Sequence, residues 1–303
     1  MLKIGVIGLG DIAQKAYLPI LSGISGVEFH LFTRNLDKLR EIGEKYRWEE
    51  LHESLDSLIQ SGVKGAFVHT ATESHEEIIR NLLEHGIHVF VDKPITYNYE
   101  SSKALVELAQ KKNVTLTVGF NRRFAPPYQF LNEIKDRNMV IMQKNRKDHP
   151  DEVRRFIFDD FIHVVDTIRH LHPYEIEQTI ITGKKTVSGK LSHVTLQLLS
   201  KNGTAIGVMN RDSGTSEEKV EVFGPEEKRS AINVTDTVIL RDKTESKPGG
   251  NDWEPTLRKR GFEQMIHNYI DFLKGSSQPC ITPEDALVTH ELCEKIVVQL
   301  ERE

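Results

Sequence analysis

The chain of 303 residues is long enough for about two domains, and with 38% apolar and 28% charged residues it is too apolar for a disordered polymer. Its 40 basic and 45 acidic side chains leave a formal charge of -5, which offers no electrostatic footprint for nucleic acid or for an anionic membrane surface. No apolar run reaches the length of a membrane span, the N-terminus carries no signal-peptide pattern, and Cys280 and Cys293 lack metal-site or Cys-x-x-Cys spacing, so a cytoplasmic protein without a disulfide framework is expected.

In chain order, residues 3–8, 27–32, 65–69, 88–91 and 115–119 read as buried strands. Between them, residues 36–46, 74–85 and 99–111 carry apolar residues at helical spacing. Strand and helix alternating in this way predict an α/β domain, a doubly wound parallel sheet with helices on both faces. The pattern breaks at Asn121 to Pro127, because paired prolines continue neither a strand nor a helix. The expected division is therefore into residues 1–121 and 122–303. Runs at 176–182, 193–199, 204–210, 219–223 and 234–240 are joined by short polar turns. They predict an α+β domain with a mostly antiparallel sheet. Residues 244–251 read as a mobile loop. A helix over 262–274 stops at Gly275, and Thr282-Pro283-Glu284-Asp285 opens the last helix.

The first strand runs into Gly8-Leu9-Gly10-Asp11-Ile12-Ala13, a G-x-G-x-x-A turn before a helix. The first glycine permits the tight turn, the second lets a pyrophosphate approach the backbone, and Ala13 brings the helix close to the sheet. Gly8, Gly10, Asp11 and Ile12 are thus candidate dinucleotide contacts, with the free amides of the helix N-terminus facing the anion. An acidic residue at the end of the second strand would grip the ribose of NAD. Here Thr33-Arg34-Asn35 stands instead, with Lys38 one turn on. A hydroxyl and a guanidinium suit a 2'-phosphate, so NADP is the expected cofactor and NAD the alternative.

Three further motifs follow: Gly86 with His88-Val89-Phe90-Val91-Asp92-Lys93-Pro94, Gly119-Phe120-Asn121-Arg122-Arg123-Phe124, and Asp159-x-x-x-His163-x-x-Asp166. With the glycine turn they resemble the Gfo/Idh/MocA oxidoreductase family, in its MviM-like branch, over nearly the whole chain. The resemblance implies a Rossmann domain followed by an open-faced, mostly antiparallel sheet that joins subunits into a homodimer or homotetramer. It also implies a sugar or polyol substrate. It sets the loop from His69 to Ser74, with Thr70, Ala71 and Thr72, beside the cofactor, followed by His75, which joins the cofactor site or only caps or packs the next helix. It sets Asp92 at the nicotinamide ribose, Asn121 near the nicotinamide and Arg123 near the substrate. It implies a cis peptide before Pro94. The chain departs from the family at two positions. Asp92 replaces the usual glutamate, which keeps the carboxylate on a shorter arm. Phe161 stands two residues before the histidine, where the family often has glycine, and reshapes the pocket.

Hydride transfer at an alcohol carbon needs a base for the hydroxyl proton and a donor for the oxygen. Lys93, at the C-terminal end of a parallel strand, is the expected oxygen anchor. On the helix read over 159–171, Asp159, His163, Asp166 and His170 follow at helical spacing. His163 is the expected acid/base, since imidazole titrates near neutrality. Asp159 orients it or binds substrate, and Asp166 holds a substrate hydroxyl or supports the helix. Lys144 and Arg146 are weaker substrate candidates. A metal on His163, Asp166 and His170 is the lesser reading, and no metal is expected. The expected function is hydride transfer between NADP(H) and a polyol, sugar or related hydroxy/carbonyl compound. The alternatives are a catalytically silent NAD(P) sensor and a glycoside-cleaving relative that uses bound cofactor in a closed redox cycle.

Overall fold

The computed structural model describes residues 1–248 and 253–302. The chain divides into two compact units, Met1–Gly119 with Glu263–Val288, and Phe120–Phe262 with Thr289–Glu303.

The first unit is built on six strands: β1 (Leu2–Ile7), β2 (Val27–Phe32), β3 (Leu51–His52), β4 (Gly65–Val68), β5 (His88–Val91) and β6 (Leu116–Val118). They pair in parallel in the order β3-β2-β1-β4-β5-β6. The order reverses between β1 and β4, and the crevice at the carboxyl ends there is where open α/β sheets bind ligands. The expected helices form over Leu36–Tyr46, His75–Glu84 and Tyr99–Lys111. Asn35 and Asn98 start two of them, their side chains accepting the backbone N–H groups of Lys38 and Ser101 at 3.0 Å. The sequence reading missed β3, because two residues on a sheet edge show no period, and the helix Leu55–Gln60 that follows it.

The helix Phe262–Leu273 was expected with the C-terminal sheet, but much of it packs in the first unit. Tyr269 Oη donates to the carbonyl of His88 at 2.9 Å, and Lys64 Nζ donates to that of Leu273 at 2.6 Å. A Cβ on Gly65 would lie 2.7 Å from Leu273 Cδ1, so the glycine makes room for this helix. Sequence order misleads here because the apolar face of a helix docks on whichever sheet complements it, near or far along the chain.

The second unit carries β7 (Met139–Asn145), β8 (Gln178–Lys185), β9 (Leu191–Ser200), β10 (Gly203–Asn210), β11 (Glu217–Phe223), β12 (Lys228–Ile232), β13 (Asp236–Arg241) and β14 (Thr244–Ser246). They form one sheet in the order β14-β13-β12-β11-β7-β10-β9-β8. Every pairing is antiparallel except β7 with β10. The sequence reading missed β7, whose inward positions are Val140, Met142 and Lys144. The buried lysine hides the alternation. Thr244–Ser246, read as part of a loop, is an edge strand, while residues 249–251 of that loop lie outside the described residues.

One face of this sheet is covered by the helix Ile162–Leu171, which seats Val164 and Ile168 over Gly207. A Cβ there would come 2.7 Å from Val164 Cγ1, so only glycine allows this approach. Each fully buried aliphatic side chain at such a contact contributes about 1.5–3 kcal/mol. The opposite face leaves Ile141, Ile206 and Val208 half-buried.

Candidate functional site

The glycine turn has the conformation its sequence demands. Gly8 sits at φ +89°, and a Cβ there would lie 2.6 Å from the backbone N of Thr70, so a side chain at this position is excluded twice over. Its N–H donates to the carbonyl of Phe32 at 2.9 Å, tying the turn to the end of β2. A Cβ on Gly10 would meet nothing within 4 Å, so the backbone there faces open space that an incoming group can enter. Asp11 and Ile12 begin the helix. Both are exposed, and Asp11 pairs with Lys15 at 2.8 Å.

Beside the turn lies a groove of about 360 Å³. Gly8 and Gly10 form its floor, Thr33 and Arg34 one rim, and Thr70 and Ala71 the other. His69 and Ser74, at the two ends of the loop that the resemblance sets beside the cofactor, also line it, and sequence reasoning missed the rest of the wall, made by Ile7, Phe32, Leu55, Glu77 and Ile78. Residues inside recognised motifs carried a signal, and these five lie outside them. Arg34 is exposed and forms no ion pair or hydrogen bond among the described residues. Asn35 is engaged as a helix cap, and Lys38 stands half-exposed one turn on. Thr72 opens the short turn of helix that leads to His75.

His69, in the groove wall, is buried, its ring centroid 3.8 Å from that of Tyr17. Burial lowers its pKa to about 3, with the nearby His75 adding to the effect. Its imidazole is therefore neutral, and neither ring nitrogen has a partner among the described residues, nor does Thr70 Oγ1. Unpaired buried polar atoms are costly and uncommon. With the side-chain-free glycine floor, they make the crevice fit a nucleotide carrying a diphosphate.

His75 lies deeper. Its Nδ1 faces the carbonyl of Pro94 at 3.0 Å and its Nε2 that of Thr70 at 3.1 Å, so the ring braces the loops after β4 and β5 against each other. Expected at the cofactor, it is placed as a support for the loops. The Lys93–Pro94 peptide is cis, as the resemblance implied. Lys93 is half-buried just past β5. Asp92 before it accepts a hydrogen bond from Tyr17 Oη at 3.0 Å. Burial raises the Asp92 carboxyl pKa, and the neighbouring Lys93 opposes that shift. Gly119 leaves room for this pair, since a Cβ there would lie 3.1 Å from Tyr17 Oη and 3.2 Å from Asp92 Oδ1.

In the second unit the helix expected over 159–171 is longer and interrupted. A π turn, Phe156–Phe161, precedes the α-helical Ile162–Leu171. Such insertions are common at functional sites, because the extra residue re-aims the side chains around it. Asp159, His163 and His170 are half-buried. Asp166 does not share their setting. It is buried, accepts two hydrogen bonds from Arg123 at 2.9 and 2.6 Å, and accepts a third from Thr289 Oγ1 at 3.0 Å. Arg123, expected near substrate, is thus engaged in a buried ion pair. Arg122 pairs likewise with Glu218, both contacts at 2.7 Å, and Tyr128 donates to the same carboxylate. Asn121 Nδ2, expected near the nicotinamide, donates to the carbonyl of Arg260 at 2.9 Å.

Lys144 and Arg146, the weaker substrate candidates, both reach Asp160, as does Arg211 at 3.2 Å. Burial alone would raise the Asp160 pKa, but Lys144 and Arg146 hold it well below the usual carboxylate range. Arg146 remains exposed.

The family described as an oxidoreductase family with an NAD-binding Rossmann fold matches residues 2–120, and the YceM-like C-terminal domain matches residues 126–242. The YceM protein of Salmonella typhimurium is 33% identical, covering 97% of each chain. The chain belongs to the Gfo/Idh/MocA oxidoreductase family. It is therefore an NAD(P)-dependent oxidoreductase. The crystal structure of a dehydrogenase (MviM) from Clostridium difficile superposes with a TM-score of 0.93 at 34% identity, covering 98% of this chain and 99% of that one. The myo-inositol 2-dehydrogenase of Thermotoga maritima is 24% identical, with 94% of this chain and 92% of that protein covered. No helix among the described residues is long and apolar enough to cross a membrane.

Proposed function

We propose that this family member transfers a hydride between NADP(H) and a sugar, polyol or related hydroxy/carbonyl compound. The observation that carries the cofactor reading is Arg34, exposed at the groove rim beside Thr33 with no acidic partner among the described residues. A guanidinium left in that state suits a phosphate on the ribose, with Lys38 adding charge. The substrate class is supported by the relative named for myo-inositol.

In this reading Gly8, Gly10, Asp11 and Ile12 hold the diphosphate against the helix N-terminus, and Thr33, Arg34, Asn35 and Lys38 hold the adenosine end. Thr70, Ala71, Thr72, Asp92 and Asn121 border the cofactor, with His75 bracing their loops. The bound nicotinamide supplies or takes the hydride. Lys93 donates to the substrate oxygen and steadies the charge that gathers there. His163 takes the hydroxyl proton during oxidation and returns it during reduction, and Asp159 orients the imidazole. Arg146 is a further substrate contact. The half-buried Ile141, Ile206 and Val208 on the open face of the second sheet support association of two or four copies through that face.

The test is a panel of inositols, sugars and keto-sugars followed by reduced-nicotinamide absorbance with each cofactor. The reading expects turnover with NADP, and a kcat at least about 100-fold lower in both Lys93→Met and His163→Ala with the cofactor Kd unchanged. Inactivity of the unaltered chain on every compound, or full activity in either variant, contradicts it.

A further inference from the structure

A cluster of two histidines and a glutamate lies at the β3 edge of the parallel sheet. Register pairs Phe32 with His52 and Leu31 with Leu51. Strand alternation then sets Glu28 and His30 of β2 on the same face as His52 of β3 and Glu50 just before it. His30 and His52 are buried, with 1% and 8% of their surface exposed, whereas Glu50 is exposed. His30 Nδ1 faces His52 Nε2 at 2.9 Å, and Glu50 Oε2 lies 3.9 Å from the same Nδ1. One ligand atom from each of the three residues falls within 4.8 Å of the others.

The outer nitrogens are also held. His30 Nε2 donates to Glu28 Oε1 at 3.0 Å, and His52 Nδ1 meets Ser57 Oγ at 2.9 Å. A carboxylate or hydroxyl behind each imidazole is the arrangement that orients histidine toward a metal. We propose that His30, His52 and Glu50 bind one Zn²⁺ ion, with a water completing the tetrahedron.

Two nitrogens on a tetrahedral Zn²⁺ lie about 3.3 Å apart with both lone pairs aimed at the ion, so the rings, which now face nearly head-on with centroids 5.1 Å apart, must part by a few tenths of an ångström and tip toward a common point. Glu50, being exposed, is free to swing its carboxylate inward. Without metal, His52 donates its Nε2 proton to His30 Nδ1. On binding, that proton moves to His52 Nδ1 and is donated to Ser57 Oγ. The shift keeps the number of protons on the two rings unchanged. The ion would staple β3, which is held to β2 through only two residue pairs.

The experiment uses the full, tag-free chain after chelator treatment, titrated with Zn²⁺ in competition with a chromogenic chelator and, separately, with Co²⁺ followed by visible absorption. The expected result is one equivalent bound per chain, a rise in Tm on adding Zn²⁺, and tetrahedral Co²⁺ bands. His52→Gln should abolish all three. Because removal of a buried histidine can impair folding, Glu50→Gln serves as the second variant: its metal-free Tm should match that of the unaltered chain while its Zn²⁺ affinity falls at least tenfold. Affinity unchanged in Glu50→Gln, Co²⁺ bands unchanged in His52→Gln, or no stoichiometric binding by the unaltered chain overturns the proposal.

Discussion

The nucleotide groove and the ion-paired layer of the second unit treat their polar groups in opposite ways. In the groove, Arg34 is exposed without an acidic partner, and the His69 nitrogens and Thr70 Oγ1 are buried without one, among the described residues. In the second unit Arg122, Arg123 and Asp160 are all buried and all paired. A buried charge held by its complement is a structural element that costs several kcal/mol to break. A polar group left waiting at a crevice is one that a ligand can complete. The difference separates Arg34 from Arg123, two arginines that look equally available in the sequence.

Substitutions in the two regions should therefore fail in different ways. The largest expected effect is Glu218→Gln, which strands Arg122 and should cost about 3 kcal/mol of stability in denaturant titration, with NADP affinity unchanged in the folded fraction. Its pH dependence follows from the same pair. Burial alone would raise the Glu218 pKa, but Arg122 brings it down to about 2 from the 4.5 of a free glutamate. The stability it contributes is complete above pH 4.5 and is lost as pH falls through 2, roughly 3 kcal/mol in all. Denaturation midpoints across that window should fall more steeply for the unaltered chain than for Glu218→Gln. Equal slopes would show that the pair does not set the acid limb.

Next in size is Gly8→Val. It puts a branched side chain at φ +89° against the Thr70 backbone. Dinucleotide affinity should drop at least about 100-fold by equilibrium titration, beside a smaller loss of stability of about 1–3 kcal/mol. The smallest change is Arg34→Ala. It should leave the unfolding free energy within about 0.5 kcal/mol of the original, weaken NADP about tenfold as one charge-assisted phosphate contact is lost, and leave NAD unaffected. Affinity for NAD at or above that for NADP, unchanged in Arg34→Ala, would remove the distinction drawn between the two regions.

Much of the first unit was legible because its signals are local. Alternating apolar runs mark β1, β2, β4, β5 and β6, and the caps Asn35 and Asn98 open helices at the expected residues. The glycine turn lies within six residues, so its conformation could be read from composition alone. The fate of Asp166 was not legible. Helical spacing aligned it with His163, but its setting depends on Arg123 and Thr289, 43 and 123 residues away in sequence. The π turn at Phe156–Phe161 likewise left no trace in the spacing, since one extra residue per turn is a product of packing.

By itself, the sequence determined the strand–helix alternation, the turn that only glycine can make, and the positions of Lys93 and His163 after a strand and on a helix. Those features depend on backbone geometry and on period, which act over a few residues. Tertiary structure alone decided which charges neutralise one another, where the helix Phe262–Leu273 docks, and that His30, Glu50 and His52 meet at one sheet edge. Pairings of that kind depend on register and packing between segments distant in the chain, and residue types read in order carry no record of either.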